Sequence, residues 1–526
     1  MPVNKARIFA ALLAASVLPS PGAAQTAGNE GPMSAIDWLS RSVAQPGTVT
    51  SPAEPAEPAQ PAAGNPALVP APTITMRSLD APSLDGIGIV SASTSGLPRN
   101  LWGATPTVDL VRMIRAERLD TLPAIQALLY RILLSELSPP ADSDGGGTLF
   151  LARVDRLLDL GALDPAAALL AQVDPPRPET FRRSFDIALL TGEENASCTA
   201  MRAAPDIAPT FPARVFCLAR GGDWNAAALS LRTGETLGYI DGDTATLLEH
   251  FLDPDLFEGE PDLPPPLRPS PLVLRLMEAI GQPVSTGMLP PAFAQSDLRS
   301  NVGWKNRLDA GERLARTGAI SPNRLAGLYF ERQPAASGGV WERVRTAQAL
   351  DKALSSGDRN AIAQALPAAW AEMSAAELEV PFATIFGVRV AGYGLPGEAG
   401  RIAFRVGLLS EGYEEVAKAR VPEDEDERFL IGLATGRTDG LRPPDQMGAA
   451  IATAFRADPP VADSFRRLLA DNRQGEALLM AIDHITDGAR GDLRDVSDGL
   501  AVLRAMGLES VARKAALELV LLERRG

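Results

Sequence analysis

Two cysteines, Cys198 and Cys217, are the only thiols in the 526-residue chain, and His250 and His484 are its only imidazoles. Nucleophilic catalysis needs a serine, cysteine or lysine beside a positioned base, but each histidine stands alone in a helical run. There is no His-Glu-x-x-His, Cys-x-x-Cys, Gly-x-Ser-x-Gly or phosphate-cradling P-loop. Three acidic groupings remain. Asp142-Ser143-Asp144-Gly145 and Asp241-Gly242-Asp243 alternate acids as calcium loops do, yet lack the other ligands and the glutamate at the required spacing. Turn or helix-cap use is expected there. Asp492, Asp495 and Asp498 fall on one helical face, which could receive a cation or a basic partner, or simply be solvated. Arg112, Arg115 and Arg118 form a basic stripe without interleaved aromatics. At a net charge of −15 this reads as a solvated face or a contact for an anionic surface, not for nucleic acid. No catalytic, cofactor-binding or metal-ligating set is expected.

The cysteines take their meaning from the N-terminus. Lys5 and Arg7, the apolar run Ile8–Leu18 and the Pro19–Ala24 segment form an export signal, residues 1–24, with cleavage expected after Ala24. No cysteine follows the apolar run, so lipid anchoring is not expected. No later stretch reaches 18 apolar residues, so stable membrane insertion after cleavage is not expected either. Losing Lys5 and Arg7 leaves 65 acidic and 48 basic residues, a charge of −17. In the oxidising periplasm two cysteines point to a disulfide, Cys198–Cys217, rather than a metal pair. Closing a loop of that size stabilises by about 3 kcal/mol in the chain-entropy model.

Residues 25–72 carry a short apolar island, Met33–Leu39, followed by Gln45–Pro72, in which eight of 28 residues are proline. Such a segment cannot bury enough apolar surface to fold. The island presents Ile36, Trp38 and Leu39 as candidate partner-binding residues, or as a local helix that docks on this chain's own body. Residues 73–101, rich in β-branched residues, proline and glycine, read as an extended arm with one or two short strands at most.

Helical periodicity begins after Trp102. With 45% hydrophobic but only 5% aromatic residues, the core is built from Ala, Leu and Val, which suits closely packed helices. An apolar helix, a small or glycine break and an Ala-rich helix recur around Gly222, Gly357, Gly412 and Gly507, at uneven spacing. The expected fold is all-α, an irregular α-solenoid of helical hairpins behind the signal peptide and the Pro/Ala-rich linker. Its helical arrays cover 102–253 and 270–526, divided by a Pro-rich acidic loop at 254–269. These hairpins resemble tetratricopeptide-like units, and the resemblance, over Leu149–Leu522, implies an α-solenoid with long binding surfaces. Separately, the stretches FCLARGGDW, PPAFAQSDL and NVGWKNRLDAGERLAR look like those of exported Ala/Arg-rich helical proteins of GC-rich proteobacteria.

Lytic transglycosylases can join an exported helical superhelix to a lysozyme-like domain. That domain needs a catalytic glutamate in a Ser/Gly-rich motif, and the C-terminal sequence continues the Ala/Leu helical pattern instead. The expected function is therefore a non-enzymatic periplasmic scaffold or adaptor for another cell-envelope protein. The alternative is a cell-wall-associated enzyme, or a regulator of one, with a site built from scattered acids.

Overall fold

Apolar residues at three- and four-residue spacing, separated by glycine and proline, favour amphipathic helices that bury one stripe each. The computed structural model describes residues 83–522, and 25 α-helices make up most of that span. The segment 1–24 and the island with Ile36, Trp38 and Leu39 lie outside the described residues. The first helices are α1 (Thr107–Ala116), α2 (Pro123–Leu134), α3 (Thr148–Asp159) and α4 (Leu163–Leu170). Next come α5 (Pro178–Thr191), α6 (Glu194–Ala203), α7 (Phe211–Arg220), α8 (Trp224–Thr236), α9 (Gly242–Leu252) and α10 (Pro271–Ala279). The middle holds α11 (Trp304–Arg316), α12 (Pro322–Phe330), α13 (Val340–Ser356), α14 (Arg359–Ser374), α15 (Glu379–Ala391), α16 (Gly397–Leu408), α17 (Tyr413–Ala419) and α18 (Glu425–Thr435). The last are α19 (Gln446–Ala454), α20 (Asp463–Ala470), α21 (Gln474–Gly488), α22 (Leu493–Ala505) and α23 (Glu509–Leu521). Two one-turn segments, Ala92–Ser95 and Ala294–Asp297, complete the set. None of the described helices is long and apolar enough to cross a membrane.

Ahead of α1, β1 (Val90–Ser91) pairs in parallel with β2 (Ser135–Glu136). Gly88 makes that approach possible: a Cβ there would stand 2.1 Å from the Glu136 nitrogen. The fully buried guanidinium of Arg153 holds this arm down. Its Nε donates to the Leu133 carbonyl at 2.8 Å, Nη1 to Ile87 at 2.7 Å and Nη2 to Ser135 at 2.8 Å.

Most helices pair with a sequence neighbour, as α7 with α8, α13 with α14, α15 with α16 and α21 with α22. The glycine breaks sit at such junctions. Gly222 and Gly357 adopt the left-handed backbone, and Asp223 and Asp358 behind them cap α8 and α14. Two apolar cores result. The larger runs from Leu84 to Leu522, and the smaller is enclosed by α5–α10, with Phe185, Phe216, Leu248 and Leu276 inside it. Each large side chain in these cores is worth about 1.5–3 kcal/mol of burial. Leu276 and Met277 lie beyond the 254–269 loop yet belong to the smaller core, so that loop does not divide two cores.

Packing also joins the ends of the described chain. Helix α21 packs on α1 and α2, and α23 packs on α2. Ala104 N donates to the Asn472 carbonyl at 2.9 Å, and Gly475 N to the Leu101 carbonyl at 2.7 Å. A Cβ at Gly475 would stand 2.7 Å from the buried indole of Trp102. The side chain of Glu518 on α23 caps the first turn of α2 through Ala124 N.

Candidate functional site

Cys198 on α6 and Cys217 on α7 are joined as a disulfide, their Cα atoms 5.0 Å apart and both side chains buried in the smaller core. The bond joins positions 19 apart in sequence and ties two neighbouring helices together. No other cysteine exists to exchange with it.

The other sequence candidates are drawn into structural work. Asp142 accepts from both the N–H and the hydroxyl of Thr107 at the start of α1, and the hydroxyl bond holds its carboxyl below the usual range despite slight burial. Asp144 accepts from Gly146 N, and Asp241 caps α9 through Thr244 N at 2.8 Å. Asp492 caps α22, whereas Asp495 stands 3.1 Å from His484 Nδ1, off the line of a hydrogen bond. Asp498 is raised by burial and by Asp495, against the pull of His484. His250 is buried and stacks on Phe257, with ring centroids 3.8 Å apart. The basic stripe is paired residue by residue: Arg112 with Asp109, Arg115 with Asp155 and Arg118 with Asp487. Among the described residues no three His, Cys, Asp or Glu side chains are grouped to hold a metal ion.

The structure gathers two features that the sequence left scattered. The first is apolar exposure beside the disulfide. Leu229 on α8 is 70% exposed, Leu237 just past its C-terminus 60%, Trp224 at its start 49%, and Tyr239 follows on the next loop. Tyr239 stacks on Phe211 at 4.8 Å and Trp224 leans on Phe251 at 6.3 Å, so these rings are held in place rather than loose. Leu256 and Leu267 extend the exposed apolar residues along the chain. Singly exposed leucines are ordinary; here several large apolar side chains are exposed on adjoining elements.

The second is a cavity of about 460 Å³ bounded by α10, the loop Pro283–Gly287, the Ala294–Asp297 turn and α11. It adjoins the meeting of the two cores, where Val284 packs on both. Its walls carry Glu278, Asp297, Arg299, Asp309 and Arg313. Glu278 receives Arg299 Nη2 at 2.8 and 2.7 Å and Arg275 Nη1 at 2.5 Å. Burial pushes Glu278 up, but these guanidiniums outweigh it and leave the carboxyl low. Asp297 goes the other way: burial outweighs the Thr286 hydroxyl and Arg299 and raises it. Arg313 donates to the Thr286 carbonyl at 2.8 Å and to the Leu289 carbonyl. A chain of ion pairs runs back from here to the stapled hairpin, because Arg275 also binds the fully buried Glu194 of α6 at 2.8 Å, as does Arg220 of α7 at 3.1 Å.

Another buried network lies between the two ends of the described chain. Glu117, just after α1, has its carboxyl raised well above the ordinary value by burial and by Asp483 of α21, with Arg156 of α3 opposing. Arg156 also donates to the Glu117 carbonyl.

The cavity residues lie in the PPAFAQSDL and NVGWKNRLDAGERLAR stretches, at Arg299 between them, and in the helix and loop before them. The available signal was the recurrence of charge, Asp297, Arg299, Asp309 and Arg313, on segments that also bury apolar residues. No family model, curated protein or solved structure matches the chain.

Proposed function

We propose that this protein is an exported, non-enzymatic scaffold or adaptor of the periplasm, which holds another cell-envelope protein on the face formed by the stapled hairpins. In this reading residues 1–24 direct export, and the hairpins are successive units of an irregular α-solenoid whose first and last units also touch. The observation that carries it is the exposure of Trp224, Leu229, Leu237 and Tyr239 on α8 and the turn after it, next to the disulfide-bearing α7, with Tyr239 stacked on Phe211 and Trp224 against Phe251. A preorganised apolar face loses little entropy on binding, which is what an adaptor surface requires. The Ile36, Trp38 and Leu39 island is a second contact, carried on the proline-rich tether. Crosslinking in cells followed by affinity purification, with and without Met33–Leu39 and with Leu229→Asp/Leu237→Asp, tests it: each change should reduce recovery of the same envelope protein.

One observation favours a second reading, a cell-wall-associated enzyme or enzyme regulator. Glu278 and Asp297 share one cavity and are shifted in opposite directions, the pattern by which paired carboxyls divide acid and base roles. Turnover of cell-wall fragments that disappears in Asp297→Asn would select this reading over the adaptor.

A further inference from the structure

We propose that the surface built by α8, α9 and the segment 253–262 binds a basic peptide segment of another protein, one whose lysines or arginines flank large apolar side chains. The inference rests on the adaptor reading and supplies the chemistry of the partner. Six of the twelve large apolar side chains exposed among the described residues fall between Trp224 and Leu267. Helix α8 packs on α7 and α9, and α9 packs on the Pro254–Phe257 turn. Where these elements meet, Trp224 leans on Phe251, Phe251 stacks on Phe216 at 5.7 Å and Phe257 stacks on His250. Leu256, next to Phe257 in the turn, is left exposed.

The same surface carries the chain's densest negative charge. From α6 to α10, residues 194–279, thirteen acidic side chains face six arginines, which is −7 of the whole chain's −15. The ion pairs inside this unit do not remove the excess from the surface. Arg220 and Arg275 are held by the buried Glu194, Arg275 also by Glu278, and Arg232 by Glu235 and Glu249. Eight acids between Asp223 and Asp262 are exposed and form no ion pair among the described residues. Asp223, Asp253, Asp255 and Glu258 flank the aromatic corner itself. Only Arg202, Arg214 and Arg268 stand against these eight in the unit. A neutral apolar partner would leave the carboxylates uncompensated, and an acidic one would be repelled. A metal ion finds no group of three ligands among the described residues. A basic segment with apolar anchors satisfies both halves of the surface: its apolar side chains cover Trp224 and Leu256, and its cations meet the acids around them. Because those acids are exposed, the pairing speeds encounter and sets orientation, and it weakens as salt rises.

The test is titration calorimetry of the full chain with three peptides of equal length: an amphipathic Leu/Lys repeat, the same repeat with glutamate for lysine, and the same repeat with serine for leucine. The Leu/Lys peptide alone should bind, and its Kd should rise at least about tenfold between about 50 and about 300 mM salt. Asp253→Asn/Asp255→Asn/Glu258→Gln, which alters exposed side chains only, should weaken binding at least about tenfold, as should Trp224→Ser. Glu423→Gln/Glu425→Gln/Asp426→Asn removes the same charge from the exposed surface at the start of α18 and should leave binding unchanged. The triple variant at 253–258 decides the matter if Trp224→Ser alters the melting curve. No binding of the Leu/Lys peptide, equal binding of either other peptide, or equal effects of the two triple variants would overturn the proposal. The peptide is added to purified protein, so its failure removes the basic partner alone, whereas failure of the crosslinking in cells removes the adaptor reading.

Discussion

Glu518 of α23 accepts from the backbone N–H of Ala124 with both carboxylate oxygens, at 3.1 and 2.9 Å, across 394 residues of sequence. Helix α2 begins at Leu122–Pro123 without a side-chain cap of its own, so a distant carboxylate supplies the anion that its N-terminus favours. Both groups are buried, which raises the cost of losing either. Glu518→Ala should therefore lower stability by about 1–3 kcal/mol. Hydrogen exchange should quicken in α2 and α23 together. Exchange that quickens in α23 alone would show that the contact does not join the two ends.

Arg153 makes a sharper prediction because nothing can replace it. Its guanidinium serves the carbonyls of Leu133, Ile87 and Ser135 inside the protein, and burial lowers it to about 10. Arg153→Met leaves those carbonyls without donors, at a cost of about 3 kcal/mol or more. Limited proteolysis should then cut within 83–101 before any other described segment. A body cleaved first in α13–α18 would contradict the role assigned to the clamp.

Asp186 in α5 sets a pH dependence. Burial raises its carboxyl from 3.8 to about 7, against the attraction of Arg182 and Arg183. Between about pH 4 and 7 the folded chain keeps a proton that the unfolded chain has lost, so stability falls as pH rises through this window. The full shift is worth on the order of 4 kcal/mol at most. Asp186→Asn removes the titration. Its urea midpoint relative to wild type should rise from pH 5 to pH 8, and a difference independent of pH would refute the assignment.

The disulfide can be checked chemically. Protein purified without reductant and denatured should show no titratable thiol, and two after reduction. Reduction should lower unfolding stability by about 3 kcal/mol. Because Cys198 and Cys217 are buried, reductant alone should act slowly on the native protein.

The all-α class and the disulfide were legible in the sequence, and both follow from local information. Apolar spacing of three and four dictates helix, and a pair of cysteines in flanking helical runs can meet when those runs form a hairpin. The packing of α21 and α23 on α1 and α2 was not legible. It depends on Glu518, Asn472 and Gly475 meeting Ala124, Gly103 and Trp102, and no periodicity encodes a contact across hundreds of residues. A solenoid pattern accounts for neighbouring hairpins but not for this long-range contact. The capping role of Asp241 was legible for a local reason, because aspartate before a helix most often caps it, and Asp492, read as part of a helical face, caps α22 in the same way. The cavity at Asp297 stayed hidden because its carboxylates and guanidiniums come from separate elements, each with an unremarkable charge pattern.

The adaptor role is tested most directly by a photo-crosslinking amino acid placed at Leu229 in the exported protein. Val108 on α1, 71% exposed and away from the stapled hairpins in sequence, serves as the control position. A discrete adduct with one envelope protein at 229, absent at 108 and lost in a Leu237→Asp background of unchanged melting temperature, is the predicted result. No adduct at 229, or the same adducts at both positions, would contradict it.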